Sequence, residues 1–193
     1  MKAHHILTAL ALTLSFALTG AAAQTRLSSG EIAESLQGVS QLGLTAASLR
    51  QAALDNVRKN PGQTAVGRPL LLPQLENEAQ FTIEIDFDFN SAAIRPQSYR
   101  AVGLIADSLH HPILLGYKFL VIGHTDAVGG REYNLKLSQR RAEAIREALI
   151  NPFGVDPARL EAVGLGEEQL RDPSHPDSQI NRRVQLVNIG KAK

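Results

Sequence analysis

The chain contains no cysteine and no tryptophan, a single methionine, and only 5% aromatic residues. Without cysteine there is no disulfide, no thiol nucleophile and no attachment point for a lipid-modified cysteine at a mature N-terminus. So few rings argue against an aromatic-lined sugar cleft. An excess of charge of one sign is missing too. The 20 Lys and Arg against 19 Asp and Glu leave a net +1, which gives no electrostatic footprint for a nucleic-acid partner. Hydrolase signatures are absent: there is no G-x-S-x-G elbow and no H-E-x-x-H zinc string. No cofactor is expected. Beyond the first two dozen residues, no apolar run is long enough to cross a bilayer.

What is present divides the 193 residues into three stretches. Residues 1–23 read as a secretory signal, with Lys2, His4 and His5 ahead of an apolar run from Ile6 to Leu18 and an Ala21-Ala22-Ala23 cleavage site. The alternative is an uncleaved membrane anchor, for which the apolar part is short. Residues 24–79 form a helical segment and linker, and residues 80–190 have the length of one domain with its own core.

In the first of these, Ile32, Leu36, Val39, Leu42, Ala46, Leu49 and Ala53 recur every three or four positions and predict a helix over 30–58. Ser28 or Ser29 would cap it, and Asn60-Pro61-Gly62 would end it. Such a stripe must be covered. It folds back on the following domain, pairs with a second copy, or docks on an envelope partner, in that order of preference. Pro61, Gly62, Gly67, Pro69 and Pro73 then mark a connector.

From Phe81 the pattern becomes a strict alternation. Phe81, Ile83, Ile85 and Phe87 fall on one side, with Thr82, Glu84, Asp86 and Asp88 on the other, a strand with one apolar face. The acids on its polar side are read as solvated, and no metal site is expected. A helix follows from about Pro96 to His110, with Val102, Ile105, Ala106 and Leu109 inward.

The stretch 117–150 carries the chemistry. A buried strand, Tyr117 to Ile122, ends just before Asp126, and the Gly129-Gly130 pair turns the chain into a helix reaching Ile150. On that helix Leu137, Ile145 and Ala148 share an apolar face, with Arg141 in its middle and Asn134 two turns before it. A guanidinium on a core-facing stripe is costly unless an anion is in reach, and Asp126 is the nearest candidate. Two readings stand: a structural Asp126–Arg141 ion pair, or two halves of a zwitterion receptor, with Arg141 forking onto a carboxylate and Asp126 taking an ammonium. The next residue but one before Asp126, His124, is assigned a structural role in that loop.

Asp156-Pro157 begins a short turn, Leu160 to Leu165 a third strand, residues 167–180 a surface loop near the pocket, and Asn181 to Ile189 a last strand. Arg182 and Arg183 start that strand on opposite faces, so only one faces the pocket. The order strand, helix, strand, helix, strand, strand predicts an α/β (α+β) two-layer sandwich with a mixed sheet, preceded by the N-terminal helical segment.

Five strings in order, Phe87-Asp88-Phe89-Asn90 with Ile94, Gly123-His124-Thr125-Asp126, Asn134 with Leu137-Ser138 and Arg141-Ala142, Gly164-Leu165-Gly166-Glu167, and Asn181-Arg182-Arg183-Val184, resemble the OmpA-like C-terminal domain over roughly residues 80–190. That resemblance implies the OmpA-like β-α-β-α-β-β fold and non-covalent binding of Gram-negative peptidoglycan through the diaminopimelate residue of its stem peptide. It also implies a location in the periplasm, at the cell wall and near the outer membrane, and no catalysis. By the same resemblance Asp126 and Arg141 make the two charged contacts, and Asn90, Thr125, Leu137 and Arg183 line or support the same pocket. Asn134 joins them from its place on the helix. The rival classes are an interaction module working through residues 30–58 and, behind it, a cell-wall hydrolase.

Overall fold

Two short helices, each with its own cap, open the structure. The computed structural model describes residues 28–192 apart from 64, 67 and 89. The expected signal segment, Gly67 of the connector and Phe89 of the first string therefore lie outside the described residues. The helix expected over 30–58 divides into α1 (Ser29–Ser35) and α2 (Ala46–Lys59). Ser28 with Glu31 forms the capping box of the first, and Thr45 with Ser48 that of the second.

The break has a cause. Gly43 takes φ +60°, which glycine adopts without penalty, and a Cβ on Gly38 would overlap the Ala79 side chain. Asn188 stitches the intervening chain to the sheet, its Nδ2 donating to Leu36 O at 2.9 Å and its carbonyl accepting from Ser40 N–H at 2.8 Å.

The remainder runs β1 (Gln80–Ile83), α3 (Tyr99–Leu109), β2 (Tyr117–His124), α4 (Arg131–Ile150), β3 (Leu160–Gly166) and β4 (Val184–Lys191), the expected β-α-β-α-β-β order. Strand order in the sheet is β1-β4-β2-β3. The last strand is antiparallel to both β1 and β2, while β2 and β3 are parallel and joined by α4, as a parallel pair requires.

The first strand is shorter than its alternation predicts. Pairing with β4 stops at Ile83, and the chain then folds on itself, with Phe87 bridged to Ile94 and Arg95 N–H donating to Asp86 O. Asn90 sits in that turn at φ 53°, a left-handed conformation that asparagine tolerates better than most residues.

Each face of the sheet has its own cover. Phe119, Val121 and Leu186 pack against Val102, Ile105 and Leu109 of α3, Ile145 and Leu149 of α4, and Ile32 and Leu36 at the first helix. Leu120, Ile122, Val163, Leu165 and Val187 face the other way, under Leu49, Ala53 and Val57 of α2 and Leu75 of the connector. The expected two-layer sandwich thus gains a partial third layer from the N-terminal segment. Burying Leu49 and Val57 contributes about 1.5–3 kcal/mol each.

Helix α4 lies directly on two strands because Gly123 and Gly164 leave room for it. A Cβ on the first would overlap Ser138 O, and one on the second the backbone nitrogen of Gln139. At that distance the helix side chains reach the outer edge of β3. Arg146 Nε donates to Leu160 O at 2.8 Å and Gln139 Nε2 to Ala162 O at 3.3 Å. Gly164 N–H donates to Gln139 Oε1, and Gly166 N–H to Ser138 Oγ, both at 2.8 Å.

The loop expected at the surface over 167–180 is only partly there. Glu167, Glu168, Gln169 and Leu170 are buried, because two arginines meet the acids inside.

Candidate functional site

The turn after β2 is tied down from two sides. Thr125 N–H donates to Gly166 O and Ala127 N–H to Pro176 O, both at 2.9 Å, so the end of β3 and the 171–180 loop together place Asp126. Its own Oδ1 accepts Val128 N–H at 3.1 Å, closing a local turn of the kind aspartate favours.

A cavity of about 710 Å³ opens between this turn, the 84–90 segment and the first three turns of α4. Asp126, Arg141, Asn90, Thr125, Asn134 and Leu137 all line it. Arg183, the remaining residue expected there, does not. Its side chain turns inward, only 3% of the residue is exposed, and Nη2 donates to Gln169 O at 3.1 Å. The neighbouring Arg182 takes the place on the cavity wall, and its Nη1 pairs with Asp126 Oδ2 at 2.6 Å. Alternation put the two arginines on opposite faces. Which one met the cavity depended on how β4 pairs with its neighbours.

The direct Asp126–Arg141 ion pair is not formed. Arg141 is half-buried, Nε donates to Ser91 O at 3.0 Å, and the guanidinium stands over the Phe87 ring, 4.8 Å from its centroid. No described carboxylate lies within 4.0 Å of it. Burial pushes its pKa down from the ordinary arginine value, the fields of Tyr133 and Asp126 push it up, and the charges of Arg182 and Arg140 push it down again. The Nη1 and Nη2 groups make no hydrogen bond to a described residue.

One more feature favours a polar guest. Thr125 Oγ1 is buried and has no partner among the described residues, a loss of about 1–3 kcal/mol that a ligand hydrogen bond would recover. The opposite lip holds Glu84, Asp86 and Asp88, with Arg95 Nε on Asp88 Oδ1 at 3.2 Å. Their alternation with Ile85 and Phe87 places these acids on one face, which here borders the cavity.

His124 lies behind the wall, buried, with Nε2 3.0 Å from Gln185 Oε1. Burial first, and the charge of Arg183 second, press its pKa well below the ordinary histidine value. It is a neutral strut. Among the described residues no group of three His, Asp or Glu side chains is arranged to hold a metal ion.

The sequence pattern of the OmpA family matches residues 86–183. Outer membrane porin F of Pseudomonas aeruginosa is 36% identical over 124 residues, which cover 63% of this chain and 35% of that protein. The peptidoglycan-associated lipoprotein of the same organism is 37% identical over 102 residues, covering 52% of this chain and 58% of its own. The chain therefore spans less than two thirds of the length of these relatives. Among solved structures, the peptidoglycan-associated lipoprotein from Burkholderia pseudomallei is 38% identical, covers 55% of this chain and 88% of its own, and superposes with a TM-score of 0.45.

Proposed function

The chain belongs to the OmpA family, and from that premise we propose that residues 80–190 bind peptidoglycan without covalent chemistry, in the periplasm at the cell wall and near the outer membrane. The group recognised is the free amino-carboxylate end of diaminopimelate in the stem peptide. Arg141 receives the carboxylate, and Asp126 receives the ammonium.

The observation that carries this reading is the unspent fork of Arg141. Nε is used on Ser91 O, while both terminal nitrogens remain available to a planar anion in a cavity that also holds a carboxylate. Asp126 retains capacity too. A carboxylate accepts about four hydrogen bonds, and Arg182 and Val128 use one each. Its second role as partner of Arg182 keeps the acid turned to the cavity. An interaction module working through the 30–58 stripe finds less support, because Leu49, Ala53 and Val57 are already covered.

Titration with a stem peptide carrying meso-diaminopimelate beside the same peptide carrying lysine tests the assignment, since within a peptide the lysine side chain ends in an ammonium without the carboxylate. A charge-assisted bond of about 1.5–3 kcal/mol predicts roughly 10- to 150-fold tighter binding of diaminopimelate. Arg141→Ala should abolish that difference, and Asp126→Ala should abolish binding of both while leaving the fold intact. Equal affinity for the two ligands would refute the assignment. Retention of the double variant on purified sacculi at the wild-type level would refute the function. Soluble fragments released from those sacculi would point to a hydrolase instead.

A further inference from the structure

Glu167 and Glu168, which follow β3, are only 4% and 1% exposed. Burying one carboxylate is costly, and burying two in succession requires cations and donors fixed around them. Much of that company comes from the N-terminal segment, ahead of the stretch that matches the family. Glu168 is clamped by Arg131, with Nε at 3.0 Å and Nη2 at 2.7 Å, and accepts Asn56 Nδ2 at 2.5 Å. Arg131 in turn donates to Asn60 O at 2.6 Å.

Glu167 receives Arg68 on one oxygen at 3.1 Å and Asn134 Nδ2 on the other at 2.6 Å, and Arg68 also donates to its backbone carbonyl at 2.8 Å. The same Asn134 amide lies 3.3 Å from Asp126 O and 3.3 Å from Val128 O. Those two contacts are long. They hold because the short bond to Glu167 orients the amide.

We propose that Arg68 is a positioning residue for ligand binding: through Glu167 and Asn134 it fixes the Asp126–Val128 turn, so that the connector is a working part of the site. The proposal rests on the reading that Asp126 receives the ligand ammonium. Without Arg68, Glu167 would keep one amide donor and the more distant charge of Arg131. It would then swing toward water, and Asn134 would lose the acceptor that aims it. The turn carrying Asp126 would loosen with no change in any residue that touches ligand.

The test uses four proteins that keep the whole N-terminal segment: wild type, Arg68→Ala, Arg68→Lys, and Val57→Ala as a control that thins the α2 packing without removing a hydrogen bond of the relay. Each is melted, titrated with meso-diaminopimelate, and followed by amide hydrogen exchange over residues 125–128. Arg68→Ala should weaken binding about tenfold and speed exchange in that turn, and Arg68→Lys should recover to within about threefold of wild type. Val57→Ala should lose melting temperature and keep its affinity within about twofold. The proposal is overturned if Arg68→Ala binds like wild type with unchanged exchange, or if Val57→Ala weakens binding and speeds exchange to the same degree. A wild-type protein that takes up no diaminopimelate overturns the functional reading instead, and faster exchange confined to Arg68→Ala would still support the relay.

Discussion

His124 is a residue whose surroundings set a pH limit on the whole fold. Its folded pKa is depressed by burial and by Arg183, while in the unfolded chain it titrates near its ordinary value of about 6.5. Below that pH the unfolded state carries the extra proton, so stability falls on acidification by up to about 1.4 kcal/mol per pH unit, and the contribution is fully present above it. Urea unfolding between about pH 5.5 and pH 7.5 should show this slope, and His124→Gln should flatten it. A wild-type protein equally stable at both ends would contradict the account. The same scale shows what a sequence can and cannot carry. Arg141 stands out because helix periodicity is local, so a cation among Leu137, Ile145 and Ala148 is visible without any structure. The choice between Arg182 and Arg183 is not local. It follows from the register of β4 against β1 and β2, and those partners lie dozens of residues away.

Helices and strands obey the same division. The capping box at Thr45 and the glycines at 38 and 43 were present in the sequence, but α1 and α2 keep their apolar residues at compatible spacing, so two elements read as one. Thr45→Ala should cost about 1 kcal/mol in a denaturant titration, the usual worth of a threonine cap. At β1 the side chains go on alternating after the pairing strand has run out, which is why the strand looked longer than it is. The seat of α4 was not legible at all, since the glycine pair meets the helix only in three dimensions. Gly164→Ala would drive a methyl into the Gln139 backbone and should destabilise by about 1–3 kcal/mol or more, measured by the same titration.

On the scale of the molecule, the N-terminal segment closes a sheet face that the family-matched stretch leaves open. A chain started at Gln80 would present Leu120, Ile122, Val163, Leu165 and Val187 to water, a contiguous apolar patch of the kind that drives association. Sedimentation should find a chain that keeps the N-terminal helices monomeric and the shortened one self-associated; a monomeric, cooperatively folding short form would show that α2 is dispensable. That a stripe existed and needed cover was readable from its spacing. Where the cover lay was settled by packing.

The side chains that α4 sends along the outer margin of β3 have one more effect. Leu160 O, Ala162 O, Gly164 N–H and Gly166 N–H would otherwise form a bare ladder, the template on which a foreign segment could dock and begin a fibre. Arginine, glutamine and serine occupy those rungs in advance. The flank of the sheet is thereby kept from being zipped onto a foreign strand.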